Sequence, residues 1–293
     1  MIYYFLPNPK LHGGIKVGYQ FTELLNSLGI PAVVASPDRA APQWFESSVA
    51  VVNEQDALGR ITESDWMIFS LQNDYERLRE IPGKQAFHCQ GTNPAHDPTF
   101  ADPDVVILTC WEQATNYVRE KFSRNPIEVG IAISDCFFYT GNVKYPNTVA
   151  CMPRRGKEII QKCVEICHDL HFFMIDNMNE YEVSTVMKAA EFFIATAQDE
   201  WFGLPGLEAM AAGCVVLSVP VLGGMDYLHD GENSIVVNPE DMPGRLLRMS
   251  KDENLPLKTQ LRQNAIATAY RYRLAVQRAL IKELLRDELK IFG

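Results

Sequence analysis

Short apolar runs rich in β-branched and aromatic residues alternate with helical patterns along almost the whole chain, and few folds accommodate that alternation. Parallel neighbouring strands need a long crossover, usually a helix, and the helices cover both sheet faces, so the strands read as near-continuous hydrophobic runs. In the first half the strand candidates are Ile2 to Leu6, Ala32 to Ala35, Val49 to Val52, Trp66 to Phe69, Ala86 to Cys89, Val105 to Thr109 and Ile127 to Ile131. Val17, Phe21, Leu24, Leu25 and Leu28 recur at helical spacing with Gly29 as a stop, which predicts a first βαβ unit. A second series runs through Thr148 to Met152, Phe172 to Ile175, Phe192 to Thr196, Val215 to Val219 and Ile235 to Val237. Helices are expected near 157–169, 180–190, 205–212 and 241–250, followed by a helical tail from Leu257 to Leu289. The aperiodic stretch Phe137 to Asn147 (FFYTGNVKYPN) reads as a linker between two sheets. Ligands of such sheets sit at the carboxyl ends of the strands, so the functional cleft is expected between the two units.

Composition narrows the function classes. With 47% hydrophobic and 22% charged residues the chain is an ordinary globular protein of 293 residues, long enough for two domains. Its 27 Lys plus Arg against 37 Asp plus Glu leave a net charge of −10, which argues against a broad nucleic-acid or anionic-lipid surface; any anion site is a local pocket. The start, MIYYFLPNPK, lacks a basic segment before a long apolar run, and the uncharged stretch between Glu208 and Asp226 is broken by Gly213, Ser218, Pro220, Gly223 and Gly224. The seven cysteines (89, 110, 136, 151, 163, 167 and 214) are odd in number and scattered through apolar segments, as buried thiols in a reducing compartment would be. These features lead us to expect a cytoplasmic protein.

The most informative segment is Phe192 to Gly213, FFIATAQDEWFGLPGLEAMAAG, an apolar strand leading through a short loop into a helix. Pro205 suits the first helical turn, and backbone N–H groups around Phe202, Gly203 and Leu204 would point out of the helix N-terminus as an anion site. Glu200 on the loop and Glu208 about one turn into the helix can face one cleft, where carboxylate oxygens accept hydrogen bonds from a vicinal diol. Taken alone, the pair reads more readily as a helix-loading Glu208 and a solvated Glu200.

EWFGLPGLEAMAAG is similar at every specified position to the motif E-x-F-G-L-x-x-x-E-A-M-A-x-G of glycosyltransferase family 4. The resemblance implies an α/β fold of the GT-B type, two facing Rossmann-like domains with parallel sheets. It implies an acceptor domain over 1–140, a nucleotide-sugar donor domain over 141–265 and a C-terminal helical segment, 266–293, packing across both. The activity implied is sugar transfer from a nucleoside diphosphate sugar (UDP, GDP or dTDP type) to a glycan or glycolipid hydroxyl, with retention and without a metal or other cofactor. Glu208 would hold the donor ribose, Glu200 the transferred sugar, and Phe202, Gly203 and Leu204 would supply amides to diphosphate and sugar.

Other segments fit more loosely. PRRGK places Arg154, Arg155 and Lys157 just beyond a strand, where cations can stabilise a departing diphosphate; the family's Arg and Lys are usually further apart, so either arginine can be the functional one. Gly13 and Gly14, after His12 in LHGG, resemble the family's glycine loop facing the donor phosphates. His88 in AFHCQGTN stands where many members carry a cleft histidine, though such a residue also reads as structural, and Gln90 and Asn93 are candidates for the acceptor side. Ser134 and Asp135 in VGIAISDCFFY, and Asp226 and Ser234 in VPVLGGMDYLHDGENSIVV, depart from the family pattern. Cys163, Cys167, His168 and His171 look like a metal cluster but share a helix with Ile159, Ile160, Ile166 and Leu170, and Asp97, Asp102 and Asp104 lack a compact ligand spacing; no metal is expected. A hydrolase or epimerase using the two glutamates, and a non-catalytic sugar-nucleotide-binding subunit, remain alternatives. No nucleic acid partner is expected, and membrane contact is at most peripheral.

Overall fold

The computed structural model describes residues 1–198, 200–223, 225–286 and 292, and the chain divides into two compact units, Met1–Ala132 with Ala275–Gly293, and Ile133–Leu274. The first unit runs β1 (Ile2–Phe5), α1 (Gly13–Ser27), β2 (Ala32–Ser36), β3 (Val51–Asn53), α2 (Glu54–Leu58), β4 (Trp66–Phe69) and α3 (Gln72–Leu78). It continues with β5 (Lys84–Cys89), α4 (Asp97–Ala101), β6 (Val105–Thr109), α5 (Glu112–Phe122) and β7 (Ile127–Glu128). The second unit runs β8 (Tyr145–Cys151), α6 (Lys157–Ile166), β9 (His171–Met174), α7 (Glu180–Ala189) and β10 (Ala190–Ala195). It ends with α8 (Leu204–Ala211), β11 (Val215–Ser218), β12 (Ile235–Val236), α9 (Met242–Met249) and α10 (Leu255–Ala269); α11 (Leu274–Leu284) begins at the boundary and continues in the first unit.

Both sheets are parallel throughout. The seven-stranded sheet has the order β3-β2-β1-β4-β5-β6-β7 and the five-stranded sheet the order β12-β11-β10-β8-β9. The first is a doubly wound Rossmann order extended by one strand, and the second, read from its other edge, is the flavodoxin-like order with its switch between β8 and β10. The inner strands are buried on both faces, and alternate residues of each share a core. Tyr4, Val34 and Ile68 join Phe21 and Leu25 of α1 in one core; Val149, Cys151, Phe192, Ile194, Val215 and Leu217 join Ile160, Cys163, Leu246 and Leu261 in the other.

Most expected strands form at the expected places, and the departures have local causes. The strand expected over Ile127 to Ile131 stops at Glu128, because Gly130 turns left-handed (φ 71°) and Gln277 Nε2 donates to the carbonyls of Val129 (3.2 Å) and Gly130 (2.8 Å). The expected continuous tail from Leu257 is two helices. A 3-10 turn at Tyr270–Tyr272 ends α10, and Arg273 is extended, its guanidinium 4.5 Å from the Phe138 ring centroid and its Nε donating to Asp135 at 3.1 Å. The end of that predicted tail, 287–289, lies outside the described residues. The aperiodic stretch from Phe137 belongs to the second unit, anchored by the buried rings of Phe137 and Phe138.

An ion pair that sequence reading passed over ties the second unit together. Lys258 of α10 donates to Glu191 Oε1 at 2.8 Å with both residues buried, while Glu191 Oε2 accepts from the Asn147 amide at 2.7 Å and the Glu191 amide donates to Thr148 Oγ1 at 3.0 Å. Glu191 occupies the register shift between β8 and β10, so one carboxylate holds two strand starts and a helix. Removing one partner strands a buried charge. Lys258→Met is expected to cost about 3–5 kcal/mol in denaturant unfolding, and adding Glu191→Gln to it should recover part of that loss.

Candidate functional site

The second unit's sheet order opens a crevice where the chain leaves β8 in one direction and β10 in the other. Two turns meet there. After β8 the chain passes through Pro153, Arg154 and Arg155 to Gly156, which adopts φ 72° and caps α6. A Cβ on Gly156 would lie 2.2 Å from the Thr196 carbonyl oxygen, and Thr196 Oγ1 donates to the Arg155 carbonyl at 2.9 Å. The turn after β8 is thereby fastened to the end of β10.

The pocket so formed is lined by Met152, Arg154, Arg155, Glu200, Gly203 and Tyr227, among others. Arg155 Nη1 lies 2.8 Å from Glu200 Oε1, and both side chains keep solvent access. Such a pair is weakly held and can exchange Glu200 for an incoming anion. The pocket floor is the start of α8, where Gly203 is the N-cap in the left-handed region (φ 79°) and Pro205 occupies the first turn. The first N–H groups of a helix lie outside its hydrogen-bond ladder and favour an anion. Here that turn borders the pocket through Gly203, Pro205 and Gly206; Pro205 has no N–H and the Gly206 amide donates to the Gly203 carbonyl at 3.0 Å, so of these three the Gly203 amide is the donor that can face an anion.

Tyr227 sets the shape of this floor. Its buried hydroxyl donates to the Gly203 carbonyl at 2.6 Å, and a Cβ on Gly206 would approach that oxygen to 2.8 Å. Burial pushes the phenol pKa up, so it remains a donor. Phe202 is buried against it, with ring centroids 5.2 Å apart, and lies 5.8 Å from the Tyr272 ring. Sequence reading missed Tyr227 and Tyr272. Glycines at 203 and 206, one helical turn apart, were the available signal, because a glycine face at a helix start leaves a groove for another side chain.

The remaining expected site residues separate. Glu208 is buried on α8, 8% exposed, and is not part of the pocket wall, whereas Glu200 is. Lys157 opens α6 beyond the two arginines and likewise does not line the pocket. In the first unit, Gly13 and Gly14 begin α1, with His12 Nδ1 accepting from the Gly14 amide at 3.2 Å. A Cβ at Gly14 would lie 2.4 Å from Gln90 Oε1, so a larger residue there displaces the end of the Gln90 side chain. His88 does not reach a cleft. It is 0% exposed, packed 4.8 Å from the Phe21 ring, with Nδ1 2.9 Å from Tyr4 Oη and Nε2 3.2 Å from Cys110 Sγ. Gln90 Nε2 extends this network by donating to Tyr4 Oη at 3.2 Å.

Among the described residues, no three His, Cys, Asp or Glu side chains come together as metal ligands, and no helix is long and apolar enough to cross a membrane. Cys163 and Cys167 lie in the core of the second unit.

The family model for glycosyl transferases group 1 matches residues 167–269. No curated protein matches the chain in sequence. Solved structures that match include HepE of Anabaena in complex with UDP and glucose, at 12% identity, 97% of this chain and 99% of that one, with a TM-score of 0.73. Sucrose-phosphate synthase of Thermosynechococcus elongatus matches at 12% identity over 99% of both chains, with a TM-score of 0.74. A glycosyltransferase of Rickettsia africae matches at 11% identity over 99% of this chain and 98% of that one, with a TM-score of 0.69. The fold is α/β of the GT-B type, as the sequence motif implied.

Burial holds the His88 imidazole neutral, with its pKa down to about 3. An unfolded imidazole protonates near 6.5, so between these values the unfolded chain binds the extra proton. The stability this contributes is complete above about pH 6.5 and is lost as pH falls. From pH 6.5 to 5 the loss is about 2 kcal/mol. Urea unfolding should show His88→Gln less stable than wild type at pH 7 yet with a shallower decline towards pH 5; an unchanged slope would contradict this account of His88.

Proposed function

We propose that the chain is a retaining glycosyltransferase that takes a sugar from a nucleoside diphosphate donor of the uracil type and passes it to a hydroxyl of a glycan or glycolipid acceptor. The observation that carries this reading is the convergence of Arg154, Arg155, Glu200 and the start of α8 on one pocket at the switch point of the second sheet. Cations and helix amides suit a diphosphate, and a carboxylate beside them suits sugar hydroxyls. The choice of UDP draws on HepE, whose structures carry UDP or UDP-glucose. The match of residues 167–269 to glycosyl transferases group 1 covers α8 and Tyr227.

In this mechanism the bond from the anomeric carbon to the diphosphate breaks as the acceptor oxygen attacks from the same face. The departing phosphate oxygen takes the acceptor proton, so no protein base is required. Arg155, released from Glu200, stabilises the charge growing on the diphosphate together with Arg154 and the α8 amides. Glu200 then holds the sugar being transferred, Glu208 the ribose, and Lys157 adds positive potential from the start of α6. His88 we assign to positioning, through Tyr4 and Gln90, rather than to chemistry. Arginine and helix dipole perform the neutralisation that a metal performs elsewhere, and the protein acts in the cytoplasm with at most peripheral membrane contact.

Release of UDP from UDP-glucose, with NMR of the anomeric proton in the product, tests the reading. Retained configuration is expected, and an inverted product would overturn the mechanism. Arg155→Ala should lower kcat about 10²–10³-fold. Glu208→Ala should weaken UDP binding about tenfold, corresponding to about 1.4 kcal/mol.

A further inference from the structure

A second cleft in the same unit lies at the opposite end of the sheet, against the start of β8. Tyr145 opens β8 and Cys151 closes it, so at about 3.3 Å per residue the two ends are about 20 Å apart. The cleft measures about 380 Å³, within the roughly 300–1,000 Å³ of small-molecule sites. One wall is a single face of α7, where Tyr181, Ser184, Thr185 and Lys188 recur at i, i+3, i+4 and i+7. The other is Tyr145 with the loop that carries Asn142 and Val143.

The chemistry of this lining is specific. Tyr145 and Tyr181 are 60% and 72% exposed, an unusual state for large rings in a chain that buries most of its own. Ser184 and Thr185 each donate a hydroxyl hydrogen to the Tyr181 carbonyl, at 2.8 and 2.9 Å, which turns their oxygen lone pairs towards acceptor duty. Asn142 Oδ1 accepts from Thr140 Oγ1 at 3.1 Å, and its amide N–H groups remain as donors. Lys188 is the one cation of the lining, no carboxylate lines the cleft, and the ammonium forms no ion pair among the described residues. Broad aromatic faces, paired hydroxyl acceptors, an amide donor and one cation complement a ring with polarised C–H faces, many hydroxyls and one negative charge.

We propose that this cleft binds an acidic oligosaccharide: uronate-type rings lie on Tyr145 and Tyr181, their hydroxyls meet Ser184, Thr185 and Asn142, and a carboxylate meets Lys188. A lipid surface is the poorer fit, because membrane docking draws on several basic residues or a protruding apolar face, and this is a concave, half-polar site with one cation. The site anchors a growing or acceptor glycan about 20 Å from the donor pocket; that use rests on the glycosyl-transfer reading, whereas the binding itself does not.

Isothermal titration of the full chain with tetragalacturonate and with maltotetraose tests the site, each titrated with and without saturating UDP. The expected result is tetragalacturonate binding that UDP does not displace. Tyr181→Ala should weaken it at least tenfold, and Lys188→Gln should bring it down to the maltotetraose level. Both side chains are outside the proposed donor machinery, so both variants should keep the wild-type circular dichroism and the wild-type response to UDP. Failure to bind tetragalacturonate, displacement by UDP, insensitivity to Tyr181→Ala, or equal affinity for the neutral sugar would each overturn the proposal. So would Tyr181-dependent sedimentation with phosphatidylcholine–phosphatidylserine vesicles in place of saccharide binding. Saccharide binding lost in Tyr181→Ala, in a chain that ignores UDP, would support this site while removing the donor reading.

Discussion

At Gly156 the backbone passes so close to Thr196 that no side chain fits, and most of the candidate site depends on that contact. The left-handed turn is accessible to glycine at little cost, and it swings the chain from β8 into α6 directly against the end of β10. Thr196 closes the contact by donating to the Arg155 carbonyl. Two arginines from one turn and Glu200 from the other are then held across one pocket rather than left on separate loops. The sheet order supplies the setting, since only at the β8/β10 switch do adjacent turns diverge and leave room between them.

The same logic organises charge. In a chain with net charge −10, two arginines line this pocket, and Arg155 is paired with the solvent-accessible carboxylate of Glu200. The pair is exposed enough to separate at modest cost. The Glu191–Lys258 pair is its opposite in role: buried, with both Glu191 carboxylate oxygens hydrogen-bonded, it fixes where the two strands and α10 begin. Tyr227 links architecture to site by supporting the N-cap residue of α8 from within the core.

What the sequence made legible was what local pattern encodes. The apolar runs located nearly every strand because a parallel strand is buried on both faces. The 200–213 segment located the pocket floor because a proline suits the first turn of a helix and Gly203 before it takes the left-handed N-cap conformation at little cost. Features made by distant partners were not legible. The break at Tyr270–Tyr272 arises from Arg273 reaching Asp135 and Phe138, and nothing in the helical period around it signals that contact. His88 reads from its place at a strand end either as a cleft residue or as a structural one, and only the fold shows that Tyr4 and Cys110 enclose it. The spacing of Glu200 and Glu208 was legible, but not their different settings: Glu200 is in the pocket wall and Glu208, on α8, is 8% exposed.

The central claim is that the pocket between the β8 and β10 turns holds the diphosphate of a nucleotide. Thermal unfolding in the presence of UDP, GDP, dTDP, ADP and CMP addresses it most directly. A ligand at 100 times its dissociation constant adds about 2.7 kcal/mol to stability, enough to raise Tm by several degrees. The account predicts such a rise with UDP in the wild type and its loss when Arg154 and Arg155 are both replaced by alanine. A flat response to every nucleotide, or a rise that survives removal of both arginines, would contradict it.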